Sequence, residues 1–188
     1  MKKTMAILLA LAMLLTCAAL ADEEDDDQVL MQIVSCPEQG FSTLCRPEYT
    51  CSYHPDGGMT IWLGEPEVSS SVTMFMADAP GADFDADYYF TNVYKALLES
   101  SYGDDLVDAG MYGTYNLSQR EMPGQLSLFM SNGELRARFC AYDLREDCFV
   151  RYEGFCAGDN EALKVMLTAV AVAVGNFQPD PDYYKSEK

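Results

Sequence analysis

Asn132-Gly133 sits between two runs in which apolar and polar residues alternate, and an Asn-Gly pair favours a two-residue hairpin turn whose twist matches the flanking strands. Pairing outward from it sets Met130 opposite Leu135, Leu128 opposite Ala137 and Leu126 opposite Phe139. All six fall on one face. Turn chemistry and alternation therefore specify the same register, and a one-residue slip would send every apolar side chain to the wrong side. A turn of two or four residues at Asp143 to Glu146 carries Cys148, Val150 and Tyr152 to that same face. Residues 111–156 thus read as a four-stranded antiparallel meander.

Two helices frame this meander. Tyr89/Phe90, Val93/Tyr94, Leu97/Leu98 and Tyr102 recur at helical spacing, with Gly103 placed to end the helix. Asp83, Asp85 and Asp87 precede it. A calcium loop would next need a glycine and later a bidentate glutamate, but Tyr88 and Tyr94 stand there. The three carboxylates instead suit the positive end of the helix dipole. The second helix begins at Asp159, an N-cap residue, and runs through Leu163, Met166/Leu167, Val170, Ala173/Val174 and Phe177. Residues 165–174 are nearly all apolar, so most of that helix must be covered. Both helices are expected to lie against the apolar side of the meander. Upstream, Phe41 to Cys45 and Thr50 to Tyr53 read as strands about an Arg46-Pro47-Glu48 turn. His54-Pro55-Asp56-Gly57-Gly58 then turns into Thr60 to Leu63, and a further strand carries Val72, Met74 and Met76.

The N-terminus reads as an export signal. Lys2 and Lys3 precede an apolar run from Met5 to Leu15, and Ala19-Leu20-Ala21 offers a cleavage site. The run falls short of the ~20 residues of a permanent span. Thr16-Cys17 resembles a lipidation site loosely, since the residue before such a cysteine is normally smaller. The domain expectations are a signal peptide over 1–21, an acidic spacer and N-terminal segment over 22–39, one α+β domain over 40–177 and a loose tail over 178–188.

Export permits disulfides, and Cys36, Cys45, Cys51, Cys140, Cys148 and Cys156 are even in number. Three lie early and three late, so complete pairing forces at least one bridge between the clusters. Cys140 shares its face with Arg138 and Tyr142, away from Cys148, and is expected to reach the N-terminal cysteines. Cys45 and Cys51 flank the Pro47 turn, where a local bridge is also open.

The chain carries 30 acidic against 12 basic residues, a formal charge of −18. That balance excludes nucleic acid or an anionic membrane as a main partner, because both demand positive surface. The basic residues are nonetheless clustered. The meander's second face gathers Arg136, Arg138 and Arg151 beside Gln125, Ser127 and Glu153, and the assumed register sets Arg138 opposite Arg151. Two readings follow: neighbouring carboxylates neutralise the arginines, or the face binds an anion. His54 is the only histidine and stands in a turn without a nucleophile motif nearby. No catalytic residue, metal ligand or cofactor is assigned.

Gly40-Phe41-Ser42, the Pro47-x-Tyr49 turn, Asp56-Gly57-Gly58 before a strand, one helix, a meander and a final helix together resemble the PsbP-like domains, including exported bacterial relatives. The resemblance covers most of residues 40–177 and lies in the order of elements and turns. It implies an α+β fold, an antiparallel sheet packed between helices. The functional expectation is an exported, disulfide-stabilised, non-catalytic binding or interaction domain, acting on a protein or a small anionic ligand. Its alternatives are an extracytoplasmic hydrolase using carboxylates or His54, and an envelope-associated structural subunit.

Overall fold

The computed structural model describes residues 30–55, 57–66, 68–77, 84–110, 112–145 and 148–180. The signal-peptide reading, Cys17, the acidic run at 22–27, Asp83 and the last eight residues lie outside them. The described residues from Met31 onward form one compact unit.

The elements in chain order are β1 (Gln32–Cys36), β2 (Phe41–Cys45), β3 (Thr50–Tyr53), β4 (Met59–Trp62) and β5 (Ser71–Ala77). Next comes a helical segment made of α1 (Ala86–Tyr88), π-helical turns over Tyr89–Tyr94 and α2 (Lys95–Tyr102). Then follow β6 (Leu106–Asp108), β7 (Tyr112–Leu117), β8 (Arg120–Ser131), β9 (Glu134–Leu144), β10 (Phe149–Cys156), α3 (Asn160–Gly175) and β11 (Gln178–Pro179). An eight-stranded sheet has the order β3-β4-β5-β10-β9-β8-β6, with β7 also on β8, while β1-β2-β11 form a small second sheet. Every described strand pair is antiparallel.

The hairpin at the heart of the meander keeps its expected register. Met130 pairs with Leu135, Leu128 with Ala137 and Leu126 with Phe139. Asn132 and Gly133 both adopt positive φ, 53° and 79°, as the tight hairpin turn requires. The next connection spans Arg145 to Cys148, with Leu144 paired to Phe149. Val150 and Tyr152 are fully buried on the face shared with Phe139.

One expectation is overturned. The two helices lie on opposite faces of the large sheet, not on one side. On the first face α3 packs against β10 and β5, burying Met166 and Val170 with Val72, Met74, Val150 and Tyr152. A Cβ added at Gly154 of β10 would strike the Met166 thioether, so the missing side chain sets how closely α3 approaches. The far side of α3 is covered by β2, where Thr43 Oγ1 donates to the Ala173 carbonyl at 3.0 Å and Phe41 stacks on Phe177. That second cover explains the nearly all-apolar helix. On the opposite face Phe90, Tyr94 and Leu98 bury a narrow i, i+4 stripe against Cys140 and Tyr142. Val93 and Leu97, which share the sequence pattern, are exposed. The physical reason for two-sided packing is the meander's second face, where Cys140, Tyr142 and Phe149 need cover as much as Phe139 and Val150 do.

Strand pairing reaches beyond residues 40–177 on both sides. Gln32–Cys36 pairs along its length with β2, and Gln178–Pro179 adds to the other edge of β2. Two short segments without a strong pattern of their own become strands because β2 offers both edges.

Candidate functional site

The helix-covered face of the sheet places its polar residues by register. Across β9, β10 and β5, Arg138 stands opposite Phe155, Cys140 opposite Glu153, and Arg151 lies between Tyr142 and Phe75. Arg138 and Arg151 are therefore not directly opposed. The connection falls at residues 145–148, two residues later than Asp143 to Glu146, which slides β10 by four positions, keeps each residue's face and changes its partner. The like-charge pair expected from the earlier turn does not form.

Glu153 joins the two arginines instead. Arg138 Nη2 donates to Glu153 Oε2 at 2.7 Å. Arg151 Nε lies 3.0 Å from Glu153 Oε1, an ion pair whose N–H is not aligned for a hydrogen bond. Arg138 Nη1 also meets the Tyr102 hydroxyl at 3.4 Å, and the Arg151 guanidinium sits 4.5 Å above the Phe75 ring. Both arginine side chains keep about a third of their surface exposed, 33% and 35%. Burial alone would ease their protons off, but Glu153 together with the neighbouring tyrosines, and with Cys140 beside Arg151, more than offsets it and raises both guanidiniums above their ordinary value. Arg136 is set apart: it pairs with Glu134 and lines a hollow of about 270 Å³ with Leu128, Leu135 and Leu163. Of the three arginines singled out in the sequence, the fold brings two together.

Beneath this pair the face becomes dry. Cys140 is wholly buried against Tyr94 and Tyr142, and burial, with Glu153 close by, pushes its thiol well up. Burial likewise raises the phenols of Tyr94 and Tyr142. The Tyr94 hydroxyl stands beside the Cys140 thiol without a well-formed hydrogen bond. The fold therefore does not take Cys140 to the N-terminal cysteines as expected. Cys148 and Cys156 flank opposite ends of β10. His54 lies further along the same face, its Nε2 2.7 Å from Thr60 Oγ1, which is 2.7 Å from Thr73 Oγ1. Its ring tilts against Phe75.

A second charged cluster escaped the sequence reading. Asp143, 2% exposed on the α3 side, accepts from Arg120 Nε at 2.9 Å and from Arg145 Nε at 2.8 Å. Arg145 Nη2 continues to the Val174 carbonyl at 3.0 Å, and its guanidinium covers the Phe177 ring at 4.6 Å. A cation at the end of α3 is favoured by the helix dipole. The available signal was Asp143 itself, a carboxylate at a core position of the alternation, which a fold tolerates only when paired.

An antiparallel sheet between two helices, followed by this order of turns, is a PsbP-like fold. The solution structure of cyanobacterial PsbP (CyanoP) from Synechocystis sp. PCC 6803 is similar, with a TM-score of 0.55 and 9% identity over 84% of this chain and 97% of that one. LpqN, described as involved in cell envelope biogenesis of Mycobacterium tuberculosis, aligns with a TM-score of 0.49 and 13% identity over 86% of this chain and 96% of its own. Neither a family model nor a curated protein matches by sequence. No helix among the described residues is long and apolar enough to cross a membrane.

Proposed function

We propose that this chain is an exported, non-catalytic binding domain whose Arg138–Glu153–Arg151 face takes a carboxylate group, from a small ligand or from an acidic side chain of a partner. One observation carries the reading: two partly exposed arginine side chains share a single carboxylate. One positive charge is left over, on a chain whose formal charge is −18. An anion is repelled by most of this surface and finds its complement there. Planar guanidiniums suit a carboxylate, and the low-dielectric floor of Cys140 and Tyr142 strengthens the pairing. Export rests on the signal-like residues 1–21, and oxidation of cysteines would follow from that compartment.

The test is calorimetric titration with citrate, succinate and an acidic peptide, comparing the wild-type chain with the Arg138→Gln, Arg151→Gln double variant. The wild type is expected to bind at least one of them, roughly tenfold or more tighter than the variant, with affinity falling as salt is added. Equal binding by both proteins, or none by the wild type, overturns the reading.

A further inference from the structure

The β8–β9 hairpin outruns its neighbour. Cys156, the last residue of β10, pairs with Ala137, while β9 extends past it to Glu134 at the Asn132-Gly133 turn. Leu135 and Ala137 share the α3 face of the sheet with Leu128, the partner of Ala137. Beyond Cys156 that face has no β10 residue beside it, and α3 begins only at Asn160. Leu163, in the first turn of α3, closes one wall, and Gly158 brings no side chain to fill the gap. What remains is the hollow of about 270 Å³. Leu135 is 48% exposed there, against 4% for Ala137 and 8% for Leu163.

The polar groups around this hollow are already engaged with one another. Asp159 caps α3, its Oδ1 accepting from the N–H groups of Glu161 at 3.1 Å and Ala162 at 3.2 Å. Glu161 pairs with Lys164 at 3.4 Å. The Cys156 thiol donates to the carbonyls of Gly158 at 3.6 Å and Asp159 at 3.8 Å. Arg136 alternates away from Leu135 and Ala137 and pairs with Glu134. The side chains left wanting cover are therefore the leucines. A charged ligand entering here would shed water without meeting an unpaired counter-charge, whereas an uncharged one gains by covering apolar surface. Size points the same way. An apolar cavity of roughly 150 Å³ takes up benzene, so the larger hollow has room for a fused two-ring molecule.

We infer that the hollow between the β8–β9 hairpin and the start of α3 is a binding site for a small, uncharged, apolar molecule of about the size of indole. The ligand lies against Leu128, Ala137 and Leu163 and covers the open side of Leu135. It is a site apart from the arginine face, since Leu128 and Ala137 belong to the α3 side of the sheet and Arg138, Glu153 and Arg151 to the other. A second hollow, lined by Leu63, Val68 and Val165, adjoins Gly158 and is the place where an apolar probe would otherwise collect.

The site is tested by titrating the isotope-labelled full chain with indole, tryptamine and indole-3-acetate while following its amide resonances. Indole is expected to give saturable shifts centred on Leu135, Ala137, Gly158 and Leu163. At those same resonances the ammonium and carboxylate analogues should bind roughly tenfold more weakly, because each must desolvate a charge without a partner. Leu135→Asn, a change at a half-exposed position, should weaken indole about fivefold or more by removing apolar wall. Leu97→Asn, an equally exposed leucine on the helical segment, should leave it unchanged. Absence of saturable shifts, shifts centred instead on Val68 and Val165, equal affinity for the charged analogues, or full binding by Leu135→Asn each overturns the inference. Indole carries no carboxylate, so failure here leaves the reading of the arginine face standing. Shifts of Arg138 and Arg151 with indole-3-acetate report on that face separately.

Discussion

At the scale of single residues, the buried charges matter most. Asp143 is almost completely withdrawn from water and is the common acceptor of Arg120 and Arg145. Replacing it with Asn keeps the shape but leaves two guanidiniums sharing a neutral amide. Breaking such a buried pair destabilises by roughly 3–5 kcal/mol, and because Arg120 reaches solvent the lower end applies, about 3 kcal/mol. Urea unfolding of Asp143→Asn should show that loss as a lower midpoint with an unchanged slope. A change under about 0.5 kcal/mol would mean that the carboxylate anchors nothing. Glu153 differs in kind. It also holds two arginines, but on a face that water reaches, where the pairing sets local charge more than stability.

At the scale of elements, two of the meander's three hairpin turns make an instructive pair. Asn132-Gly133 has both residues at positive φ, and the sequence announced it because those residue types adopt that conformation readily. Ser118-Gln119, between β7 and β8, has the same backbone, φ 49° and 65°, with residues that do not announce it. Ser118 stays because its hydroxyl donates to the Ala171 carbonyl at 2.6 Å, tying the turn to α3. Gln119 is exposed and carries the strain of its left-handed backbone, so Gln119→Gly should stabilise the chain by about 1 kcal/mol, read as a rise in thermal midpoint. No rise, or a fall, would show that the left-handed glutamine is unstrained. Most of the meander was legible because period-two alternation and one strong turn fix register locally. What stayed hidden depends on distant partners. Gln32–Cys36 and Gln178–Pro179 are strands only through β2, and the side each helix takes is decided by Cys140, Tyr142 and Phe149, whose apolar face follows from register but whose cover does not. The arginine face was half legible: residue composition survived a four-residue slide of β10, and pairwise neighbours did not.

At the scale of the whole molecule, both faces of the sheet hide acids that prefer to keep their protons. Tyr94, on the helical segment, covers Cys140 and Tyr142, Tyr152 lies under α3, and Cys36, Cys51 and Cys156 lie elsewhere; burial raises all of them. Thiols and phenols in the unfolded chain ionise near about 8.5 and 10. Above those values the unfolded state has released protons that the folded state retains, so alkali favours unfolding. With reductant present, the unfolding free energy should be level up to about pH 8.5 and decline beyond it; a flat profile into stronger alkali would show that these groups titrate as freely as in the open chain. The large sheet also has a particular outline. Its outermost described strands are Thr50–Tyr53 on one border and, on the other, Leu106–Asp108 and Tyr112–Leu117 sharing the long β8 between them. Where those two meet, Gly110 bends with φ 80°, and the Ala109 carbonyl is claimed by the side chains of Gln125 and Ser127. A ribbon of stacked molecules grows by knitting long straight hems together. Copies of this chain brought side by side would find only short, broken hems along this sheet to knit together.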